Sequence, residues 1–139
     1  MGSNQSIQKI NFEDVQTVYK NPELYLLINT LSEQDQSCLI PNTILAHLEE
    51  SIINKHMRNS HIRIIVYGRN CNDEKMYKKY SQLLSLGFTN IFVYTGGLFE
   101  WLMLQDIYGF DDFPTTLKNA DIIKYKPSQR LNIALLENG

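Results

Sequence analysis

The fold of this chain is decided by residues 64–101, which read IIVYGRNCNDEKMYKKYSQLLSLGFTNIFVYTGGLFEW. Apolar residues 64–67 predict a buried strand, which is followed by a polar loop with one cysteine. The stretch 73–86 has apolar residues at helical spacing and ends at Gly87, a residue type that often closes helices. A second apolar strand then completes a β–loop–α–β unit. Because loops on such scaffolds often carry functional residues, the loop after the first strand is the candidate site.

The rest of the chain continues this alternation of strands and helices. Asn11 is predicted to cap the first helix, with Asp14 completing a capping box, and Asn21-Pro22 to end it. Strands are predicted at 7–10, 25–28, 62–67 and 91–94, and helices at 11–20, 45–58, 73–86 and 98–107. This order predicts an α/β fold with a central, mostly parallel sheet flanked by helices on both faces.

Composition and charge are those of an ordinary globular protein. The 139 residues are 43% hydrophobic and 20% charged, which suits one domain with a buried core. The net charge is −2, and the basic cluster 75–79 lies beside acids on a predicted helix, so we expect no nucleic-acid partner. No apolar run approaches the roughly 20 residues that span a bilayer. The polar first ten residues do not resemble a secretion signal, so we expect a cytoplasmic protein with two free thiols.

The amino terminus carries a candidate lipidation site. Residues 1–6 fit the pattern M-G-x-x-x-[ST], in which Gly2 is myristoylated after the methionine is removed. Two other interpretations stay open, because Met-Gly-Ser is also a common cloning remnant and so short a pattern arises by chance. A single myristoyl chain gives marginal, reversible binding, so acylation of Gly2 would produce only weak membrane association.

Together these motifs resemble the rhodanese homology domain over residues 7–101. In that family an I-P-G-A-I segment lies between the second strand and the next helix, and here residues 39–44 read LIPNTI. The family's L-x-x-x-G-F helix end is matched at 83–88, and its G-G-x-x-x-W segment at 96–101. The resemblance implies the rhodanese-like α/β fold and a relation to sulfurtransferases. A generic Rossmann-like domain is the alternative, but it does not account for the order and spacing of these segments.

The resemblance also assigns an active loop to this chain. Its residues are Gly68, Arg69, Asn70, Cys71, Asn72, Asp73 and Glu74. In the family, a cysteine directly after the strand lies in a cradle of backbone N–H groups and carries sulfur as a persulfide. Here Gly68 stands in that position. Counting back from Gly87 places the cysteine slot near Asn70 or Cys71 instead, because the loop is longer than usual, so Cys71 is a displaced candidate. Asp73 and Glu74 would repel an anionic sulfur donor, although acids suit the first turn of a helix.

Two functions are compatible with this loop. We favour a non-catalytic rhodanese-like domain that binds or scaffolds a protein partner; the sequence identifies neither the partner nor the oligomeric state. The alternative is a thiosulfate-type sulfurtransferase with Cys71 as persulfide carrier and the amides of 72–75 as the sulfur cradle. Asn29 and Leu31 replace an aspartate and an arginine common in the family, which favours loss of activity. Related phosphatases have an arginine where Tyr77 stands, so we expect no phosphatase activity.

The other conspicuous residues are predicted to be structural. Cys38 precedes an Ile-Pro turn and is expected to pack in the core, as is Trp101. The three histidines lack the spacing to cysteines of a zinc site, so we expect no metal and no cofactor. A base–nucleophile pair of His47 and Cys71 stays open without support from spacing. Gly96-Gly97 lacks the pattern of a phosphate loop and is expected to permit a tight turn.

These assignments divide the chain into three parts. Residues 1–6 form an N-terminal segment with the candidate lipidation signal, and residues 7–107 form the rhodanese-like domain. Residues 108–139 form a C-terminal extension, which we expect to pack on the domain because it carries aromatic residues that can dock against the sheet edge.

Overall fold

The apolar runs of the sequence form one parallel sheet. The structure is a computed structural model and describes residues 6–119 and 121–131, with five strands in this part of the chain. They are β1 (Lys9–Ile10), β2 (Tyr25–Asn29), β3 (Thr43–Ile44), β4 (Arg63–Tyr67) and β5 (Asn90–Tyr94). Their order across the sheet is β1-β5-β4-β2-β3, and every neighbouring pair is parallel. The predicted α/β fold with a mostly parallel sheet is confirmed.

Helices connect these strands. The α-helices of the described residues are α1 (Phe12–Lys20), α2 (Glu49–Lys55), α3 (Glu74–Ser85) and α4 (Gly97–Tyr108). Short 3-10 turns lie at Glu33–Asp35, Ala46–Leu48 and Ile122–Tyr125. Three of the four predicted helices agree closely with these bounds. In α1 and α3 the apolar residues recur at helical spacing, whereas α4 is largely apolar throughout.

The first two helices differ in how well their predicted bounds agree with the structure. The capping box of α1 is confirmed, since the Asn11 Oδ1 accepts from the Asp14 amide at 3.0 Å and the Asp14 Oδ2 accepts from the Asn11 amide at 3.1 Å. The helix predicted at 45–58 begins instead as a 3-10 turn and ends at Lys55. Leu48 at its N-cap has no side-chain acceptor for the first amides, which favours the tighter turn.

Two hydrophobic clusters bury the two faces of the sheet. Ile65 of β4 belongs to the cluster that contains residues of α1 and α4, while Ile64 and Val66 belong to the cluster with residues of α2 and α3. Successive residues of a strand point to opposite faces, so both faces of β4 are covered. This explains its continuous apolar sequence, because a strand buried on both faces does not alternate with polar residues.

The chain beyond α4 packs on the same face as α1 and α4. Trp101 is completely buried, as predicted, and its ring meets that of Phe113 edge-on at a centroid distance of 5.1 Å. The Trp101 Nε1 donates to the Pro114 carbonyl oxygen at 2.8 Å. The Thr116 amide donates to the Leu39 carbonyl oxygen at 2.8 Å, which ties this segment to the loop after β2.

A glycine turn between β5 and α4 positions the candidate loop. Gly97 has φ +67°, which favours glycine, and a Cβ atom there would lie 2.7 Å from the Asn70 amide nitrogen. The amide of Leu98 donates to the Gly68 carbonyl oxygen at 2.9 Å, and that of Phe99 to the Arg69 carbonyl oxygen at 2.8 Å. The predicted tight turn at Gly96-Gly97 is confirmed, and the start of α4 fixes the start of the loop.

Membrane attachment is predicted only from the sequence of the amino terminus. None of the helices in the described residues is long and apolar enough to cross a bilayer. Gly2 lies outside the described residues, so its acylation stays a prediction.

Candidate functional site

The candidate loop begins with a buried glycine at the carboxyl end of β4. A Cβ atom at Gly68 would overlap the carboxylate of Asp73, at 2.8 Å from its Cγ, and would lie 2.8 Å from the Thr30 Oγ1. Real Cβ atoms are essentially never found this close to another heavy atom. A side chain at the position directly after β4, where the family has its cysteine, would therefore require the side chains of Asp73 and Thr30 to move.

The Asp73 carboxylate fills that space because it accepts hydrogen bonds from several sides. Its Oδ2 accepts from the Arg69 amide and from the Thr30 hydroxyl, both at 3.1 Å. Its Oδ1 accepts from the Lys75 amide at 3.0 Å, which makes Asp73 the N-cap of α3. The loop thus holds an internal anion where the resemblance implies a nucleophile and a bound sulfur donor.

Cys71 lies apart from the inner part of the loop. The residue is exposed, and its Sγ faces the Asn72 Oδ1 at 3.7 Å. Its carbonyl oxygen accepts a hydrogen bond from the Tyr77 hydroxyl at 3.2 Å. Tyr77, which stands where related phosphatases have an arginine, thus stabilises the loop. An exposed thiol in this place is accessible to reagents but is not surrounded by backbone donors.

Most of the amides proposed as a sulfur cradle already have acceptors within the chain. The Asn72 amide donates to the Asn70 Oδ1 at 2.9 Å, and the Asp73 amide donates to the Asn70 carbonyl oxygen at 3.2 Å. The Lys75 amide donates to Asp73, as described above. Three of the four amides in 72–75 therefore stabilise the loop and the start of α3.

Asn70 and Arg69 connect this loop to the C-terminal 3-10 turn. Asn70 is buried, and its Nδ2 donates to the Tyr125 carbonyl oxygen at 2.8 Å. The Arg69 guanidinium lies over the Tyr125 ring at 5.1 Å and donates to the Lys124 carbonyl oxygen. The C-terminal turn is thus held directly against the candidate site.

A buried carboxylate completes this connection. Asp35 is 8% exposed, and its Oδ2 lies 3.2 Å from the Arg69 guanidinium while its Oδ1 lies 2.8 Å from the Lys124 Nζ. The Ser32 hydroxyl donates to the same carboxylate at 2.9 Å. The hydrogen bond from Lys124, assisted by Ser32 and the two positive charges, lowers the pKa of Asp35 despite the opposing effect of burial. Sequence reasoning missed this residue, because nothing in the polar stretch 32–37 distinguishes Asp35 from its neighbours.

The lowered pKa of Asp35 predicts a specific loss of stability in acid. Its contribution is fully present above the pKa of the unfolded state, about 4, and is lost as pH falls through the lower folded-state value. Urea unfolding of the parent protein and of Asp35→Asn should therefore differ most near neutral pH and converge in acid. A difference between the two that stays constant into the acid range would contradict this assignment.

At the carboxyl end of β2, side-chain amides form hydrogen bonds in the place where the family commonly has an aspartate and an arginine. Asn29 is buried, and its Nδ2 donates to the Ile44 carbonyl oxygen at 3.0 Å while its Oδ1 accepts from the Leu31 amide at 3.0 Å. The Gln36 side chain donates to the Asn29 Oδ1 at 2.8 Å. Leu31, which replaces a common family arginine, is buried in the core. Neither residue presents a charge to an anion at this edge of the sheet.

Two candidate residues from the sequence, Cys38 and His47, lie outside the loop. Cys38 is buried, as predicted, and its Sγ donates to the Leu117 carbonyl oxygen at 3.2 Å. Burial raises the pKa of the Cys38 thiol, which makes it a poor nucleophile. His47 is exposed on the 3-10 turn before α2. Within the ranges 6–119 and 121–131, no group of three or more His, Cys, Asp and Glu residues is arranged to hold a metal ion.

The comparisons with known proteins identify the family of this chain. A family model described as Rhodanese-like domain matches residues 24–104, more than half of the chain, and the chain belongs to this family. The resemblance seen in the sequence motifs is confirmed. A comparison with curated protein sequences gave no significant match.

Solved structures share the fold at low sequence identity. The crystal structure of the Alr3790 protein from Anabaena sp. is 17% identical with a TM-score of 0.57, covering 83% of this chain and 86% of that one. The solution structure of the rhodanese-like domain of Alr3790 is 18% identical with a TM-score of 0.55, covering 91% and 89%. The single-domain sulfurtransferase RDL2 of Saccharomyces cerevisiae is 18% identical with a TM-score of 0.51, covering 76% and 97%. This likeness establishes the common fold.

Proposed function

We propose that this chain is a non-catalytic rhodanese-like domain that acts as a binding or scaffolding module. The observation that carries the proposal is the filled position after β4, where the Asp73 carboxylate lies in the space that a side chain at Gly68 would need. Sulfur transfer requires a thiolate surrounded by free backbone donors that also receive an anionic substrate. In this loop the anion is part of the chain, and the amides of Arg69, Asn72, Asp73 and Lys75 already donate within the chain.

The alternative is a sulfurtransferase in which Cys71 carries the persulfide. It is supported by one observation, the exposure of a thiol in the loop that carries the nucleophile elsewhere in the family. In that reaction the Cys71 thiolate attacks the outer sulfur of thiosulfate, sulfite leaves, and a persulfide forms. Cyanide then removes the outer sulfur as thiocyanate and regenerates the thiolate.

An assay for thiocyanate separates the two functions. With thiosulfate and cyanide, we expect the purified chain to form no more thiocyanate than a protein-free blank, because an exposed Cys71 lacks the surroundings that favour a persulfide. Mass spectrometry after thiosulfate alone should show no added sulfur on Cys71. Turnover that is abolished in Cys71→Ser and retained in Cys38→Ser would establish the sulfurtransferase and reject the binding module.

For its place in the cell, we propose the cytoplasm, with weak, reversible membrane attachment where Gly2 is acylated. This follows from the sequence pattern of residues 1–6 and from the low affinity of a single myristoyl chain. A scaffold held in this way would exchange between membrane and solution.

A further inference from the structure

A broad cleft with many basic side chains lies over the candidate loop, between α3 and the C-terminal tail. Its volume is about 730 Å³. Six of the thirteen lysine and arginine residues of the chain line it: Arg69, Lys75, Lys78, Lys124, Lys126 and Arg130. We call this surface the basic cleft. A chain of net charge −2 therefore concentrates positive charge in one place.

Much of this charge is not neutralised by the chain. Arg69 and Lys124 share the buried Asp35, so their charges are partly compensated. Within 6–119 and 121–131, none of the other four basic residues of the cleft forms an ion pair. The acidic residues of the lining are Asp73, which accepts three hydrogen bonds from the chain, and Glu74. The four remaining cations thus outweigh one available carboxylate.

The arrangement of these cations suits an extended anion better than a compact one. Lys75 and Lys78 are three residues apart on α3 and therefore neighbours on its surface, while Lys126 and Arg130 lie across the cleft on the tail. A phosphate or thiosulfate ion is bound by donors that converge on one point, usually backbone amides. Here four of the loop amides already donate within the chain, and the free cations are long side chains spread around an open cleft.

The lining also argues against nucleic acid. Proteins that hold single strands combine basic residues with aromatic side chains on which bases stack. Among the described residues, no aromatic side chain lines the basic cleft. Spaced carboxylates of a polypeptide require only dispersed positive charge, which this cleft provides.

We propose that the basic cleft binds an extended acidic segment of a partner protein. The proposal rests on the function as a binding module and names the chemistry of the partner. It assigns a role to the C-terminal tail, since one wall of the cleft lies beyond the residues 24–104 that match the family. Binding should weaken as salt rises, because exposed charges are screened.

Fluorescence anisotropy with a labelled peptide of alternating glutamate and glycine tests this proposal. The full chain should bind it, and a peptide with glutamine in place of glutamate should not compete. The double variant Lys78→Glu/Lys126→Glu should weaken binding about tenfold, because two attractive contacts become repulsive. The matched control Lys55→Glu/Arg58→Glu makes the same change of net charge before the amino end of β4, whereas the cleft lies at the carboxyl end of that strand. It should weaken binding less than about twofold through screened long-range attraction.

Every other outcome overturns the proposal. Absence of peptide binding would do so, as would equal effects of the two double variants. Tighter binding of pyrophosphate or of a single-stranded oligouridylate would assign the cleft to a compact anion or to nucleic acid. The thiocyanate assay tests the proposed function independently of this peptide-binding experiment. Turnover that depends on Cys71 rejects the binding module whether or not the peptide binds.

Discussion

Gly68→Ala is expected to lower the free energy of unfolding by about 2 kcal/mol, although alanine normally stabilises a backbone relative to glycine. The added methyl group would overlap the Asp73 carboxylate and crowd the Thr30 hydroxyl. The carboxylate cannot move away cheaply, because it would lose its hydrogen bonds from the Arg69 and Lys75 amides. The same collision applies to a cysteine, so restoring the family nucleophile at this position would disrupt the loop.

A double-mutant cycle with Asp73→Ser identifies the cause of this loss. Serine keeps an acceptor for the N-cap of α3 but vacates the space beside Gly68. In the Asp73→Ser background, Gly68→Ala should cost only about 1 kcal/mol, because the contact with Thr30 remains. Urea unfolding of the four proteins measures the coupling. Equal costs of Gly68→Ala in both backgrounds would show that Asp73 does not exclude a side chain from this position.

Asp35→Ala is expected to destabilise the chain by about 2 kcal/mol and to loosen the C-terminal turn. The substitution leaves Arg69 and Lys124 facing each other without the buried carboxylate that separates them. Loss of one partner of a fully buried pair costs more, but these two basic side chains are 35% and 40% exposed and water replaces part of the interaction. The turn Ile122–Tyr125 should then open more often, since Lys124 loses its anchor.

Limited digestion with trypsin measures this opening directly. Cleavage after Lys124 should be faster in Asp35→Ala than in the parent chain, whereas cleavage after Lys55 should change little. Glu33→Ala is the matched control, because Glu33 is an exposed acid in the same 3-10 turn. Equal cleavage rates in Asp35→Ala and Glu33→Ala would mean that the ion pairs do not hold the turn.

The fold could be predicted largely from the sequence, for a local reason. Apolar residues in short runs or at helical spacing determine which segments are strands and which are helices, and the cap at Asn11 has both partners within one helical turn. Predictions were weakest where the local signal was short. The helix at 45–58 was drawn too long, and the two-residue strand β3 was not identified.

The candidate site could be predicted only in part. Gly68 directly follows the strand, where the family has its cysteine, and counting back from Gly87 identified Cys71 as a displaced candidate. It did not show that Asp73 turns inward, because the same acid could equally face solvent in the first turn of a helix. Its direction depends on Thr30, which is 43 residues away in the chain and is brought to the loop by the pairing of β2 with β4.

The sequence by itself therefore determined the parallel α/β fold, the loop and the absence of a cysteine directly after β4. The tertiary structure alone decided that an aspartate fills that position, that Asp35 joins Arg69 to the tail, and that six basic residues share one cleft. The physical reason is distance along the chain: Arg69 meets Asp35 across 34 residues and Lys124 across 55. Periodicity and capping act within a few residues, whereas the packing of the tail against the sheet brings these charges together.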